Sequence, residues 1–460
     1  MTKAIAALVA ICSVIAAAVL RATPPVPARD PRPNVLVVLT DDQTLDTIGS
    51  DPPAMPWLQS QLNDPSGHWL WFPRAVASTP LCCPSRSTIL TGRYDTQTGV
   101  RDNSQGQNLD DTNTLPVWLH DGGYTTGLVG KYLNFYPWGG APYVPPGWDR
   151  WFAKENADES TSYYDYEVVD QGIVRHYGDA PEDYATDVLG AQALRFVQDA
   201  PADAPWFLYF SPNAPHLPWV PAPAHVGAFD GVEPPIPDLQ TMNDVRGKPA
   251  YVQALAPKTE ADRQAYIQDD RNERAMLLSV DEWFHAIVDE IASRGELDNT
   301  VIVFMGDNGY TFGLHRLDGK RYPYTPSAGV PFAIRTPWAP AATIGDPVSN
   351  VDVAGTIAAL ADVPPGLPQM GIDLGPAIRG QPLPRRPGVF LDWGGDPYAP
   401  PWSGVLTRRS LYVGNDGGFE ELYRARDALQ LDNVAASPSA AALQDRSRAL
   451  LRTMTVKAQG

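Results

Sequence analysis

Cysteine is nearly absent from this chain: there are three in 460 residues, Cys12, Cys82 and Cys83. Cys12 lies inside an apolar N-terminal run, and the other two are adjacent. That leaves no set of spaced cysteines from which to build a disulfide framework, so stability has to come from a core. Positive charge is also scarce, with 35 Lys and Arg against 53 Asp and Glu. Residues 1–28 hold Lys3 and Arg21 and no acid, so residues 29–460 carry 33 basic against 53 acidic groups, a formal charge of −20. This balance excludes nucleic acid as a partner, because that needs basic patches. It also means that any anion-binding site must concentrate positive charge locally. No internal repeat is evident. The one long apolar run is Ala4 to Leu20, after Met1-Thr2-Lys3 and before Val26-Pro27-Ala28. It predicts a secretory signal over 1–28 and a secreted or cell-envelope protein, with membrane contact only if the segment is retained as an anchor.

What the chain does have is length for a large core, 19% charged and 10% aromatic residues, and 47 prolines that imply many loops. Asn34 to Thr40, Trp206 to Phe210 and Thr300 to Met305 are continuous apolar runs of strand length, the mark of strands covered on both faces in a parallel sheet. Each ends in polar residues: Asp41-Asp42, Ser211-Pro212-Asn213-Ala214-Pro215-His216, and Asp307-Asn308 after Gly306. Ligand groups in open α/β sheets gather at the carboxyl ends of strands. Three carboxylates and an amide (Asp41, Asp42, Asp307, Asn308) make a hard oxygen site suited to Ca²⁺ or Mg²⁺. His216, held between prolines just past a buried strand, is a candidate catalytic residue. Tyr124 to Val129 predicts another strand, leading into Gly130-Lys131.

Helical spacing is present from Leu115 to His120, from Tyr184 to Gln198, from Arg274 to Ile291 and from Val351 to Leu360. The segment 136–166 is dense in Trp and Tyr, including Trp138, Trp148, Trp151, Tyr163 and Tyr164, residues suited to packing and to stacking on sugar rings. Beyond Gly380 short strands alternate with Gly and Pro. The expected organisation is a leader at 1–28, an α/β domain at 29–379 with a mostly parallel sheet flanked by helices, and a small antiparallel α+β subdomain at 380–460.

The chain is organised around Leu81 to Tyr94, Leu-Cys-Cys-Pro-Ser-Arg-Ser-Thr-Ile-Leu-Thr-Gly-Arg-Tyr. Pro84 suits a helical first turn and Gly92 the residue past its end. Cys82 then stands at a helix N-terminus, which favours negative charge, and Arg86 shares its face four residues on. Cys82, Pro84, Ser85 and Arg86 with the Leu90-Thr91-Gly92-Arg93 tail resemble the signature of the type I sulfatases of the alkaline phosphatase superfamily. Gly130 to Asn134 and Gly313 to Leu317 look most like the N-acetylglucosamine 6-O-sulfatases. The resemblance covers roughly residues 32 to 440.

That resemblance implies a Cα-formylglycine nucleophile made from Cys82 by a formylglycine-generating enzyme, and a divalent cation, Ca²⁺ or Mg²⁺. It implies sulfate contacts from Arg86, Lys131 and Lys320, a proton on the leaving alcohol from His216, and a substrate contact from His315. The substrate class is a sulfated small molecule or glycan. Two features depart from the family pattern: Leu133 stands where many arylsulfatases carry a histidine, and Thr325 follows Tyr324 where relatives show glutamate. The rival readings are a phosphonate or phosphate ester hydrolase of the same superfamily and a non-catalytic glycan-binding protein.

Overall fold

In the computed structural model, residues 30–155 and 162–459 are described. The expected leader, with Cys12, lies outside them. All seven residues of the Asn34–Thr40 strand are buried. Its side chains alternate between two cores: Val35, Val37 and Leu39 face one, and Leu36 and Val38 the other. A strand buried on both faces has no polar side to spare, which is why its sequence reads as an unbroken apolar run.

Ten strands form the main sheet. Five at its centre run parallel, in the order Thr300–Gly306, Asn34–Thr40, Trp206–Ser211, Thr125–Gly130 and Arg150–Lys154. Antiparallel strands flank them, with Phe332–Arg335 beside Thr300–Gly306 and Tyr166–Asp170 beside Arg150–Lys154. The helices Cys82–Thr91, Leu115–Asp121 and Val353–Leu360 cover one face, and Ala185–Asp199 and Glu260–Ser293 cover the other. Truncating a fully buried contact such as Leu208 to alanine costs about 2–5 kcal/mol.

The helix Glu260–Ser293 starts well before the expected Arg274. Its first turns carry a polar sequence without apolar periodicity, and Thr259 with Asp262 forms a capping box that fixes the start. Past the main sheet, Val389–Trp393, Trp402–Leu406, Ser410–Asn415 and Glu420–Arg424 make a four-stranded antiparallel sheet. Val405, Tyr412 and Leu422 pack under Leu443, Leu450 and Leu451 of the helix Ala441–Gln459. Among the described residues no helix is long and apolar enough to cross a membrane.

Candidate active site

Strand register places the polar residues. Thr40 pairs with Gly306, so Asp41-Asp42 and Asp307-Asn308 leave the sheet side by side. Gly130 pairs with Ser211, which brings Lys131 alongside the segment that ends in His216. The Asp307 amide donates to the Thr40 carbonyl, and the Lys131 amide to that of Ser211. Tyr163 Oη stands 2.7 Å from the His216 carbonyl and 3.1 Å from that of Asn213, bracing the histidine loop from below.

The helix Cys82–Thr91 is buried along its whole length and stops at Gly92, whose φ of 66° is left-handed. A Cβ there would overlap the Gln369 side chain, so glycine is required for space as well as conformation. Ser85 Oγ donates to the Asp307 carbonyl and accepts from Asn350 Nδ2, tying the first turn to the sheet end. Arg86 reaches out one turn on: Nε lies 2.7 Å from Asp307 Oδ2, Nη2 lies 3.8 Å from Asp41 Oδ1, and Nη1 donates to Ser211 Oγ.

Residue 82 is at the centre of the cluster. Its sulfur is 3.5 Å from Asp41 Oδ1 and 3.8 Å from Asp42 Oδ1. Lys320 Nζ approaches it to 2.8 Å. Lys131 Nζ is paired with Asp41 Oδ2 at 2.7 Å. His216 Nδ1 faces the Leu217 carbonyl and so carries a hydrogen, which leaves Nε2 turned toward Asp42 Oδ2 at 3.5 Å. Three permanent cations and a histidine thus surround three carboxylates, the local concentration of positive charge that an acidic protein needs to hold an anion.

Charge and burial compete at each group. Burial would raise Asp41, but Lys131, with His216, Arg86 and Lys320, holds its carboxyl far below the ordinary range. Burial likewise opposes ionisation of Asp42, and Lys320 outweighs it. At Asp307 burial wins, reinforced by Asp41 and partly offset by Arg86, and the group is pushed up to about 6. Burial would strip the proton from Lys320, yet Asp42 keeps it firmly protonated. The Cys82 thiol is driven well above its usual value by burial, against the pull of Lys131 and Lys320. Burial thus disfavours the thiolate, the nucleophilic form of an unmodified cysteine.

The donor set suits a hard cation. Asp42 Oδ2 and Asn308 Oδ1 are buried with no hydrogen-bond partner among the described residues, an arrangement that costs free energy unless something else is coordinated there. Asp41, Asp42, Cys82 and His216 each offer a ligand atom, all within 4.8 Å of one another. The carboxylate and amide oxygens fit a Ca²⁺- or Mg²⁺-type ion.

Nine of the ten sequence-predicted residues converge here: Asp41, Asp42, Cys82, Arg86, Lys131, His216, Asp307, Asn308 and Lys320. His315 does not. Its Nδ1 and Nε2 lie 3.1 and 2.9 Å from the carbonyls of Asp244 and Leu429, and its ring packs on Tyr324. Burial, helped by Lys248, pushes it down to about 4, and the neutral ring donates to one of these two carbonyls, so its nitrogens face loop backbone where a substrate contact was expected. Leu133 is part of the core, and Asn134 is engaged by the Cys83 sulfur, so neither replaces the missing histidine beside residue 82. Beside Tyr324-Thr325, where many relatives show glutamate after the tyrosine, stands the buried carboxylate of Glu421. It accepts from the Tyr324 hydroxyl at 2.9 Å, and Gln430 caps the Thr325 amide.

With this geometry in hand, similarity to known proteins is decisive. The sulfatase family profile matches residues 33–363. The chain belongs to the sulfatase family. It is 34% identical over 382 residues to the N-acetylglucosamine-6-sulfatases of Capra hircus and Homo sapiens, covering 79% of this chain and 67% and 68% of theirs. An N-acetylglucosamine-6-O-sulfatase of Bacteroides thetaiotaomicron is 27% identical over 414 residues, which is 76% of this chain and 71% of that one. In fold, the chain superposes on a structure solved with its substrate D-glucosamine-2-N,6-O-disulfate at a TM-score of 0.82, with 23% identity over 93% of this chain and 98% of that one. It also superposes on a phosphonate monoester hydrolase of Agrobacterium radiobacter at 0.73, with 20% identity over 93% and 96%. This sulfatase is a hydrolase of sulfate esters.

Proposed function

We propose that this sulfatase removes a sulfate group from a sugar, using residue 82 as formylglycine together with a bound divalent cation, Ca²⁺ or Mg²⁺. The observation that carries this reading is the convergence on Cys82 of two carboxylates and a lysine around a thiol that burial has silenced. The 6-O-sulfated N-acetylglucosamine specificity of its curated relatives supports an amino-sugar substrate. Asp41, Asp42, Asp307 and Asn308 would hold the cation, which supplies Lewis acidity and favours the ionised form of a neighbouring hydroxyl.

The chain's own residues do the rest. Arg86, Lys131 and Lys320 meet the sulfuryl oxygens and neutralise charge as it develops there. As a hydrate, residue 82 presents two hydroxyls: the oxygen of one bonds to sulfur while the S–O bond to the alcohol breaks. In its imidazolium form, with the Nδ1 hydrogen held by the Leu217 carbonyl, His216 gives its Nε2 proton to the departing alcohol oxygen. His216 Nε2, now without its proton, takes the proton of the second hydroxyl while the C–O bond to sulfate breaks, which expels sulfate and restores the aldehyde. A formylglycine-generating enzyme supplies the modification during maturation, and the protein acts after export, as the extracellular sulfatases among its relatives do.

The test is turnover of N-acetylglucosamine 6-sulfate and 4-nitrophenyl sulfate beside the matching phosphate and phenylphosphonate esters. The sulfates are expected to be preferred; a preference for phosphonate would transfer the assignment to the rival hydrolase.

A further inference from the structure

The way into the site can be read from a gradient of exposure. Cys82, Arg86, Lys131, Asp41, Asp307 and Asn308 are completely buried and Asp42 nearly so, whereas His216 and Lys320 keep 6% and 7% exposure. Solvent therefore reaches the cluster from the side of His216 and Lys320, and the fully buried cations form the floor. A sulfate held on that floor leaves its alcohol pointing outward.

Two half-buried aromatic residues stand on this open side. Trp219 follows His216 by three positions, and Tyr310 follows Asn308 by two. Their rings lie 5.4 Å apart and nearly perpendicular, both backed by Phe312 at 5.5 and 5.0 Å. A side chain at Gly319 would meet the Tyr310 ring at 3.9 Å, so this ring lies beside the residue that precedes the lysine touching residue 82. Asp42 and Lys320 are among the charges acting on the Tyr310 hydroxyl, which burial pushes above its ordinary value. By contrast, Trp148, Trp151 and Tyr163 of the aromatic-rich 136–166 segment are buried and not available to a ligand.

We infer that Trp219 and Tyr310 form the wall against which the ring of the leaving alcohol packs, holding a pyranose so that its ester oxygen meets His216. Sugar rings present apolar C–H faces that pack on aromatic surfaces, while a flexible small alcohol gains little from such a wall. The inference rests on the proposed sulfate ester hydrolysis and adds the residues that select the alcohol.

N-acetylglucosamine 6-sulfate and ethyl sulfate are both esters of primary alcohols and differ in the ring. The kcat/KM ratio of sugar over ethyl ester, measured on the same sample, is independent of the fraction of enzyme folded. In Trp219→Leu and Tyr310→Ala this ratio is expected to fall by about tenfold or more, chiefly through KM for the sugar. A ratio within twofold of wild type in both variants would overturn the wall. A wild-type enzyme that hydrolyses both esters equally well would overturn it too, while leaving sulfate ester hydrolysis intact. A wild type inert toward both esters but active on 4-nitrophenyl sulfate would overturn the wall and leave sulfate ester hydrolysis standing, and one inert toward all three would overturn the proposed reaction as well.

Discussion

Lys320 holds its ammonium 2.8 Å from the sulfur of Cys82 and 2.5 Å from a carboxylate oxygen of Asp42. It arrives from a loop far along the chain; its charge offsets the buried acid and, in the proposed reaction, would also meet the substrate anion. Lys320→Met is expected to lower kcat on 4-nitrophenyl sulfate by about 10²–10³, the scale of losing one aimed electrostatic contact. Steady-state kinetics with a thermal melt checks this, since a loss caused by unfolding would appear in the melt.

On the proposed reading Asp42 Oδ2 and Asn308 Oδ1, which lack a hydrogen-bond partner among the described residues, would hold a cation on which activity depends. Exhaustive chelation is expected to abolish turnover and Ca²⁺ or Mg²⁺ to restore it. Asp42→Asn is expected to raise the concentration needed for half-recovery by about tenfold or more, as removal of a charged ligand does. Full activity after metal removal, verified by elemental analysis, would contradict the site.

How much of this was legible in the chain differs from residue to residue. Asp41, Asp307 and Lys131 were legible because each follows a strand, and the register that aligns Thr40 with Gly306 is what places them together. Arg86 was legible from helical spacing. His315 misled because its neighbours in sequence resemble a sulfate-binding segment, whereas both its ring nitrogens are taken by carbonyls from distant loops. Lys248 was invisible for the same reason: nothing local marks an ammonium that will sit over two tyrosine rings. The aromatic segment was legible as aromatic, but burial decided between packing and binding.

Lys248 links stability to pH. It is buried, bonded to the Tyr423 hydroxyl and the Gln430 carbonyl, and burial lowers it from the ordinary 10.5 to about 7 against the pull of Glu421. Between those values the unfolded chain binds the extra proton, so this group makes stability rise with pH from about 7 upward; below 7 the fold bears the full cost of a buried ammonium. Lys248→Met is expected to remove that rise, which denaturant titrations read as a wild-type-minus-variant difference growing by about 1 kcal/mol per pH unit from 7 to 9. A flat difference would show that the ammonium stays charged throughout.

Cys82→Ser tests the second half of the reaction. A serine accepts the sulfuryl group but has no second hydroxyl with which to expel it. Incubation with substrate is expected to leave a stable sulfated protein, seen as an increase in intact mass, after at most one turnover. Ordinary steady-state turnover by this variant would contradict the proposed release step.

The most direct measurement is the mass of the peptide containing residue 82, from enzyme made with its native maturation machinery and assayed in the same preparation. The expected result is an aldehyde in place of the thiol, with its fraction tracking specific activity across preparations. Fully active enzyme carrying an intact Cys82 thiol would contradict the account.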